Sequence, residues 1–307
     1  MIDQAILIRD KTRLEQLIER FNSKAQAQFY IERSGGNFQQ YEAEHQQFYH
    51  SLELVIKQLS GKMRFKVLMR SFLPSFIFAR NQVVIVLGQD GLVANTAKYV
   101  DHIPIIGVNP DPKRYDGILL PFHYQNWLPA LEKVVDEKHS AQFVTMAEAK
   151  LKDGQRILAF NDLFIGMSSH RSARYQLQFA GKKETQSSSG ILVSTGAGST
   201  GWLSSVFNMA QSVNQLVTGQ PQIAPTTLPW DTDHLLFVVR EPFLSKQSAV
   251  SLAAGNIYGH SPLQIESFMP NDGVIFSDGI ESDFLRFNSG SIAQIGIAPE
   301  KACLVVK

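Results

Sequence analysis

Short apolar runs and one amphipathic stripe dominate the first third of the chain. Residues 6–8, 65–69, 83–87 and 105–108 are largely apolar segments, and the absence of alternation in the last two predicts strands buried on both faces. Between residues 48 and 59, apolar residues recur at steps of three and four, as on one face of a helix. Buried strands joined through helices predict an α/β domain with a parallel sheet.

The pattern changes beyond about residue 145, where apolar and polar residues alternate. Residues 175–179 and 263–268 have the period of two that is typical of half-exposed strands, and turn-forming residues lie at 180–182 and 271–273. We therefore expect a mainly antiparallel β domain. The predicted domains are residues 1–125 and 126–307, and we leave open that the C-terminal tail packs back on the first domain.

The composition and net charge of the chain limit the classes of molecule that we expect it to bind. Lys and Arg number 29 against 28 Asp and Glu, so the net charge of +1 provides no bulk attraction to nucleic acid or to an anionic membrane. The only cysteine, Cys303, has no partner for a disulfide. No run approaches the roughly 18 apolar residues of a membrane helix, and no signal composition is present. We expect a cytoplasmic protein whose partners are small molecules.

A glycine-rich segment follows the apolar run at 191–194. Glycines at positions 196, 198 and 201 let the main chain approach a diphosphate, and the helix predicted after them adds a favourable dipole. The same glycines fit the G-x-G-x-x-G motif of NAD-dependent dehydrogenases. That alternative needs an acidic residue about 20 positions later. None occurs between Trp202 and Trp230, and a Pro-rich run at 220–225 stands where a second parallel strand would be.

A second candidate is Asp90, which follows the buried strand at 83–87 between Gly88 and Gly91. The carboxyl ends of such strands are where α/β sheets bind ligands, and a carboxylate there can orient or deprotonate a hydroxyl group. The alternative is a strand-end turn in which Asp and Gly serve only the backbone geometry. The local sequence alone favours the turn.

The order of several motifs changes this balance, because together they resemble the NAD kinase family. That family shows a Gly-Gly-Asp-Gly turn, a Gly-x-Asn strand end, an Asn-Glu pair, a glycine loop similar to Thr-Gly-Ser-Thr-Ala-Tyr and a late Asp-Gly. The corresponding motifs here are Gly88-Gln89-Asp90-Gly91, Gly107-Val108-Asn109, Asn161-Asp162, the loop from Ser194 to Trp202, and Asp278-Gly279. The sequence is most similar to the mitochondrial-type branch, through residues 107–114, 161–166, 172–175 and 240–242.

The resemblance implies an α/β N-terminal domain plus a β-rich C-terminal domain in a two-domain NAD kinase/diacylglycerol kinase-like fold. It implies an NAD kinase, which transfers the terminal phosphate of ATP to the adenosine ribose 2′-hydroxyl of NAD. Asp90 is the implied catalytic residue that engages this hydroxyl. Mg²⁺ or another divalent cation is implied by the charge of the phosphates, although no metal ligands are predicted. A homodimer or homotetramer is implied as well.

The resemblance also carries roles to individual residues. Gly88 and Gly91 shape the phosphate turn, and the Asn161-Asp162 pair contacts ribose and base, with Asp one methylene shorter than the Glu of the family. The loop that ends at Trp202 closes over NAD. The implied nucleotide-binding residues are Gly88, Gln89, Gly91, Asn109, Asn161, Asp162, Thr195, Ser199, Thr200, Gly201, Trp202 and Asp278.

Two residues differ from the motif of the family, and they leave two alternative functions open. Gln89 replaces the second glycine of the turn, and Leu92 replaces a following Thr. If position 89 required a positive φ, Gln would strain the turn by about 1–2 kcal/mol, and its side chain could also fill the phosphate site. One alternative is therefore a non-catalytic NAD(P)-binding sensor. The other is a kinase of the same superfamily that acts on a lipid or sugar hydroxyl.

Overall fold

A computed structural model describes residues 2–219 and 227–307 of the 307-residue chain. The Pro-rich run at 220–225 lies outside the described residues. The chain divides into two compact units, which we call the first and the second unit. The first unit comprises Met1–Gln142 with Cys303–Lys307, and the second unit comprises Phe143–Ala302.

The first unit alternates strands and helices. Its helices and strands are β1 (Gln4–Arg9), α1 (Arg13–Phe21), α2 (Lys24–Arg33), α3 (Phe38–Ser60), β2 (Arg64–Met69), β3 (Gln82–Leu87), α4 (Asp90–Ala97), β4 (Pro104–Asn109), β5 (Phe122–His123) and α5 (Leu128–Val135). A 3₁₀ helix, Arg70–Ser75, follows β2. All six residues of β3 and the last five of β1 and β4 are buried, which fits their largely apolar sequences.

The strands of the first unit form a parallel sheet in the order β2-β1-β3-β4. The chain moves from β1 to β2 on one side and then returns to place β3 on the other side of β1. This reversal makes the carboxyl ends of β1 and β3 the topological switch point, where open α/β sheets bind ligands. At the far edge, Cys303 and Leu304 pair in parallel with β4.

The core of the first unit lies between this sheet and two helices. The apolar stripe of α3, which includes Phe48, Leu52, Val55 and Leu59, packs on the strands together with Trp127 from the turn before α5. Burying such side chains contributes about 1.5–3 kcal/mol each. The apolar residues that recur with helical periodicity in the sequence therefore form the face of α3 that packs on the sheet.

The second unit consists mostly of strands. Its strands and its one long helix among the described residues are β6 (Ser140–Leu151), β7 (Arg156–Ala159), β8 (Asp162–Met167), β9 (Ala173–Phe179), β10 (Lys182–Ser188), β11 (Ile191–Ser194), α6 (Trp202–Thr218), β12 (His234–Val239), β13 (Ala254–Tyr258), β14 (Leu263–Ser267), β15 (Gly273–Ser277), β16 (Ile280–Arg286) and β17 (Ile292–Val306). Strands β6 and β17 cross the unit boundaries, since residues 140–142 and 303–306 belong to the first unit.

Two antiparallel arrays form the second unit. One has the order β10-β9-β14-β17, and the other has the order β13-β12-β11-β8-β15-β16. Alternate residues of both arrays form one core, among them Tyr175, Leu177, Ile165, Val193 and Ile275. The α/β first unit and the β-rich second unit confirm the fold class predicted from the sequence.

Predicted elements agree with the structure in type, whereas some of their bounds differ, since the helix that contains the apolar stripe at 48–59 begins at Phe38. The helix predicted over 92–100 begins earlier, at Asp90, and ends at Ala97. Within the described part of the chain, no helix is both long and apolar enough to cross a membrane.

Candidate functional site

The predicted site residues fall into two groups, each within one unit. Gly88, Gln89, Asp90, Gly91 and Asn109 lie in the first unit, at the carboxyl ends of β3 and β4. The other eight lie in the second unit, around β8, the glycine loop and the end of β15. We describe each group by itself.

The turn that follows β3 is built without backbone strain. The N–H of Gly88 donates to the carbonyl of Val108 at 3.3 Å, which ties the turn to the neighbouring strand. Gln89 has φ −106° and ψ 166°, an extended conformation open to any residue. The condition under which Gln89 would have strained the turn, a positive φ, is therefore not met.

Helix α4 begins at this turn and leaves a set of backbone donors available. In the described structure, the N–H groups of Gln89, Asp90 and Gly91 have no hydrogen-bond partner, and no side chain caps the helix. Apart from its chain neighbours and the backbone of α4, no atom lies within 4 Å of the position that a Cβ on Gly91 would occupy, so this side of the turn is open. Free N–H groups at the positive end of a helix dipole form an anion-binding site.

The Asp90 carboxylate is held in a fixed orientation by a neighbouring loop. Its oxygens accept the backbone N–H groups of Leu119 at 2.8 Å and Ile118 at 3.3 Å. The loop can approach because Gly107 lies beneath it, where a Cβ would be 2.2 Å from the carbonyl oxygen of Leu119. A carboxylate offers about four acceptor positions, so Asp90 retains capacity for a further donor.

Asn109 has a structural task in the same loop. Its side-chain amide donates to the carbonyl of Tyr115 at 2.9 Å and its oxygen accepts the N–H of Asp111 at 2.9 Å. The residue is only 4% exposed. Asn109 therefore fixes the path of the chain after β4, and its side chain offers little to a ligand.

A cavity of about 300 Å³ lies at the switch point of the parallel sheet. Its walls come from the segments that follow β1, β3 and β4, together with side chains from α3 and Arg70 after β2. The lining includes the turn residues Gly88, Gln89 and Gly91. This places the open backbone donors of α4 beside a pocket of the size that small anionic groups require.

The charged residues of this pocket had no predicted role. They include Lys11 and Arg13 in the segment after β1, Arg70 after β2, and Glu44 on α3. The sequence signal was the run Arg-Asp-Lys-Thr-Arg at 9–13, directly after the apolar run at 6–8. Because parallel strands end at one edge of a sheet, charges after β1 approach the turn after β3.

Each guanidinium in this region is matched by a carboxylate. Glu44, only 7% exposed, accepts both Arg13 and, at 2.9 Å, Arg114. Arg70 donates to Asp10 at 3.0 Å. These pairs hold the cations in place and balance their charge, so a phosphate here meets backbone donors and paired guanidinium groups together.

In the second unit, two predicted hydroxyl groups are used to build the glycine loop. Thr195 donates to the carbonyl of Phe160 at 2.6 Å and accepts the N–H of Gly198 at 3.2 Å. Ser199 donates to the carbonyl of Gly196 at 2.7 Å and accepts the N–H of Leu228 at 3.1 Å. Both residues are buried, so their hydroxyls hold the loop in shape.

The Asp278 carboxylate also holds backbone groups. It accepts the N–H groups of Phe160 at 3.0 Å, Asn161 at 2.6 Å and Asp162 at 3.2 Å, where the chain enters β8. Asp278 has φ +54°, a left-handed conformation that Asp tolerates better than most residues. Asp278 of the Asp-Gly motif thus fixes the backbone of Asn161 and Asp162.

Asp162 is a buried acid with an incomplete set of partners. It is 9% exposed, and among the described residues its Oδ1 has no hydrogen-bond partner. A Cβ on Gly198 would lie 2.7 Å from this oxygen, so the glycine loop covers it. Burial raises the pKa of Asp162 to about 7, with a contribution from the Asp278 charge and opposed by a hydrogen bond with Ser194.

Three predicted residues present free polar groups. The side-chain amide of Asn161, the hydroxyl of the exposed Thr200 and the indole N–H of Trp202 have no hydrogen-bond partner within residues 2–219 and 227–307. Gly201 precedes α6, whose first turn has no side-chain cap. This second helix start provides backbone donors that can bind an anion.

Trp202 also belongs to an aromatic cluster. Its ring stacks on Phe164 with centroids 5.7 Å apart, and the Arg240 guanidinium lies 5.2 Å from the Trp202 centroid. These residues line a groove of about 820 Å³ on the outer face of the β8-β15-β16 region. Among the predicted binding residues, only Trp202 lines this groove.

The described side chains do not form a dedicated metal cage. No group of three or more His, Cys, Asp or Glu side chains able to hold a metal ion occurs among the residues described. Mg²⁺ is commonly bound by one or two carboxylates together with substrate phosphates.

Comparisons with known proteins support the fold. The sequence matches no protein-family model and no curated protein. A crystal structure of yeast NADH kinase with NADH matches with a TM-score of 0.60 and 13% identity, over 100% of this chain and 84% of that one. An NAD kinase from Archaeoglobus fulgidus with ATP matches with a TM-score of 0.55 and 14% identity, over 98% and 92%. The chain therefore has the two-domain fold of NAD kinases.

Proposed function

We propose that this protein is an NAD kinase, which transfers the terminal phosphate of ATP to the 2′-hydroxyl of the adenosine ribose of NAD and produces NADP. The likeness of fold to two kinases of NAD and NADH supports this assignment. The observation that carries it is the start of α4, where three free N–H groups lie beside the fixed Asp90 carboxylate.

In the proposed reaction, the donor phosphates bind in the first unit at this helix start. The oxygen of the 2′-hydroxyl attacks the terminal phosphorus, the bond from that phosphorus to the bridging oxygen of ADP breaks, and Asp90 accepts the hydroxyl proton. The bonds from Leu119 and Ile118 keep the carboxylate oriented during this step. Mg²⁺ enters with ATP and neutralises phosphate charge.

The proposed dinucleotide contacts come from the second unit. Asn161, Thr200 and Trp202 supply a carboxamide, a hydroxyl and an aromatic ring, which suit the hydroxyls of a ribose and the face of a base. Thr195, Ser199 and Asp278 hold the backbone that positions these groups. Among the implied binding residues of the second unit, we therefore assign direct contacts with the dinucleotide to Asn161, Thr200 and Trp202.

The test is NADP formation from ATP and NAD by the purified protein and by Asp90→Asn. We expect the substitution to lower the turnover by at least about 100-fold, since it removes the proton acceptor. The affinity for NAD, measured by calorimetry, should change by less than about threefold. Asp153→Asn is the matched control, because Asp153 is exposed and only caps a turn before β7.

Absence of NADP formation, or transfer to a lipid or sugar hydroxyl in place of NAD, would contradict the proposal. Equal turnover in Asp90→Asn and the wild type would contradict the role of Asp90 specifically. Because the Asp90 carboxylate also holds Ile118 and Leu119, the folding of Asp90→Asn needs a control. Its thermal unfolding must be cooperative and occur at a temperature similar to that of the wild type.

A second candidate, a non-catalytic NAD(P) sensor, is favoured by one observation. Both Asp90 oxygens are already bonded to backbone N–H groups, and the neighbouring guanidinium groups are already paired. Such a site can be stable without a phosphate donor. Turnover that is absent from the wild type and present in Gln89→Gly would favour the sensor.

The remaining expectations also stay proposals. We propose that the protein is cytoplasmic and that it forms a homodimer or a homotetramer. We also propose that its sequence is most similar to the mitochondrial-type branch of NAD kinases. The oligomer is supported by α6, which contains no charged residue and exposes Met209, Val213, Leu216 and Val217. A monomer in sedimentation equilibrium at micromolar concentration would contradict it.

A further inference from the structure

Three distances show which side of the Trp202 ring is supported by its neighbours. The rings of Trp202 and Phe164 are nearly parallel, with centroids 5.7 Å apart. The Arg240 guanidinium lies 5.2 Å from the Trp202 centroid and 6.0 Å from the Phe164 centroid. Two groups on opposite faces of an indole would be separated by nearly the sum of their distances from its centroid. Because 6.0 Å is only slightly longer than either distance, Phe164 and Arg240 lie on the same side of Trp202.

The other face of Trp202 has no aromatic or cationic neighbour among the described residues. Trp202 is half-buried, and it lines the groove of about 820 Å³ on the outer face of the β8-β15-β16 region. An aromatic face at the wall of a groove is a platform on which a planar base can stack. This second face is therefore the one that remains for a ligand.

Phe164, the first of the two supports, is held in place by close packing. It is 6% exposed, and its ring lies against the backbone of two glycines. A Cβ would lie 2.7 Å from the ring at Gly166 and 2.6 Å from it at Gly190. Phe276 packs on the same ring, with centroids 4.9 Å apart. Phe164 thus provides a fixed surface for the indole of Trp202.

Arg240, the second support, is fixed through its backbone. Its N–H donates to the carbonyl of Gly190 at 2.8 Å, and its carbonyl accepts the N–H of Ser189 at 3.0 Å. Its guanidinium makes no hydrogen bond within the described part of the chain, and its ion pair with Glu241 is 3.9 Å long. Stacking on the two aromatic rings is therefore the interaction that orients this side chain.

We infer that Arg240 is a positioning residue, which holds the Trp202 ring against Phe164 so that the opposite face receives a base of the dinucleotide. A guanidinium over an indole is attracted by the negative face of the ring. Without it, Trp202 keeps only the stacking on Phe164 and can leave this rotamer. The inference gives a role to the Arg-Glu-Pro sequence at 240–242, and it rests on the proposed function in that the ligand is NAD.

The first test is a double-mutant cycle on NAD binding. Calorimetry with NAD is applied to the wild type, Arg240→Met, Trp202→Leu and the double variant. We expect Arg240→Met to weaken binding about fivefold, the size of one cation–π contact. Arg240→Lys keeps the cation and should lose less than about twofold. In the Trp202→Leu background, Arg240→Met should change nothing further.

The second test measures the order of the indole without a ligand. The near-UV circular dichroism of Trp202 is the difference between the wild type and Trp202→Phe, since Trp127 and Trp230 are present in both. We expect Arg240→Met to lose more than half of this band and Arg240→Lys to keep it, because a side chain without fixed packing loses its near-UV signal. Cooperative thermal unfolding of Arg240→Met near the wild-type temperature shows that the fold is intact.

Arg171→Gln is the matched control. Arg171 lines the same groove, but it pairs with Asp272 and lies over no ring in the described structure. Its removal tests the positive charge of the groove alone, and the affinity for NAD should change by less than about twofold.

Three results would overturn the inference. An equal loss of affinity in Arg171→Gln and Arg240→Met would show that Arg240 acts through its charge. An equal loss on Arg240→Met in the wild-type and the Trp202→Leu backgrounds would show that Arg240 contacts the ligand itself. An unchanged Trp202 band in Arg240→Met would show that Arg240 does not order the ring.

Failure of the inference is distinct from failure of the kinase assignment. The dichroism of Trp202 needs no nucleotide, and calorimetry needs no phosphate transfer. The expected cycle in a protein that forms no NADP would reject the kinase and retain the role of Arg240. NADP formation together with full affinity in Arg240→Met would reject the inference alone. A wild type that does not bind NAD would reject both.

Discussion

The Asp278 carboxylate accepts the backbone N–H of Asn161 at 2.6 Å, across 117 positions of sequence. The same carboxylate holds the N–H groups of Phe160 and Asp162. One acid at the end of β15 thus sets the path by which the chain enters β8, and with it the position of the free Asn161 amide. This relationship has a measurable consequence for stability.

Asp278→Asn should destabilise the protein by about 2 kcal/mol, because it removes the charge and one acceptor from three backbone donors. Asn tolerates the left-handed backbone, so strain adds little. Asp272→Asn is the matched control, with φ +58° and an exposed pair to Arg171, and should cost less than about 1 kcal/mol. Urea unfolding measures both. Equal losses would show that Asp278 does not hold the entry to β8.

The raised pKa of Asp162 predicts a pH-dependent stability. Between its unfolded pKa of 3.8 and its folded pKa of about 7, the folded state binds more protons than the unfolded state, so stability falls as pH rises through this window. Asp162→Asn removes this slope and should raise the free energy of unfolding at pH 8 by a few kcal/mol, about 4 at most. Urea unfolding at pH 4, 6 and 8 tests it. An equal slope in the wild type and in Asp162→Asn would show that other groups cause the pH dependence of stability.

Gly196 should not accept any side chain. A Cβ there would lie 1.8 Å from the carbonyl oxygen of Pro229, a backbone atom that cannot rotate away. Gly196→Ala should therefore lower the stability by about 3 kcal/mol or more. Gly259→Ala is the control, since nothing lies within 4 Å of its Cβ position. Thermal unfolding that ranks the two variants equally would contradict this packing.

Glu44 should limit the affinity of the switch-point pocket for anions. Glu44→Gln removes the carboxylate that Arg13 and Arg114 share, although Arg114 keeps its pair with Asp111 at 3.5 Å, and it makes the pocket one charge more positive. We expect tripolyphosphate to bind about fivefold more tightly at low salt, with the gain falling as salt increases. Glu53→Gln, on an exposed part of the same helix, should have no such effect. Unchanged affinity would show that the anion does not sense these arginines.

The regular elements could be predicted well from local patterns. The unbroken apolar run at 83–87 and the stripe from Phe48 to Leu59 predicted β3 and much of α3, because burial follows the period of each element. The alternation at 175–179 predicted β9 in the same way. Helix α1 was not predicted, although Thr12 and Glu15 form a capping box at its start and its apolar residues pack in one small cluster.

The site was predicted less completely, because its chemistry depends on distant partners. The order of the motifs could not show that Thr195 and Ser199 are used internally whereas Thr200 is free. Nor could it show that Asp90 is held by Leu119, a residue 29 positions later in the chain.

The sequence by itself determined most of the strands, the long helix α3 and the places where glycine opens the backbone, because these follow from interactions between residues near one another in the chain. Only the tertiary structure decided which polar groups remain available to a ligand. A hydroxyl, amide or carboxylate is free or occupied according to the partner that folding brings to it, and for Asp90, Asn109 and Asp278 those partners come from turns and strands that the chain reaches separately.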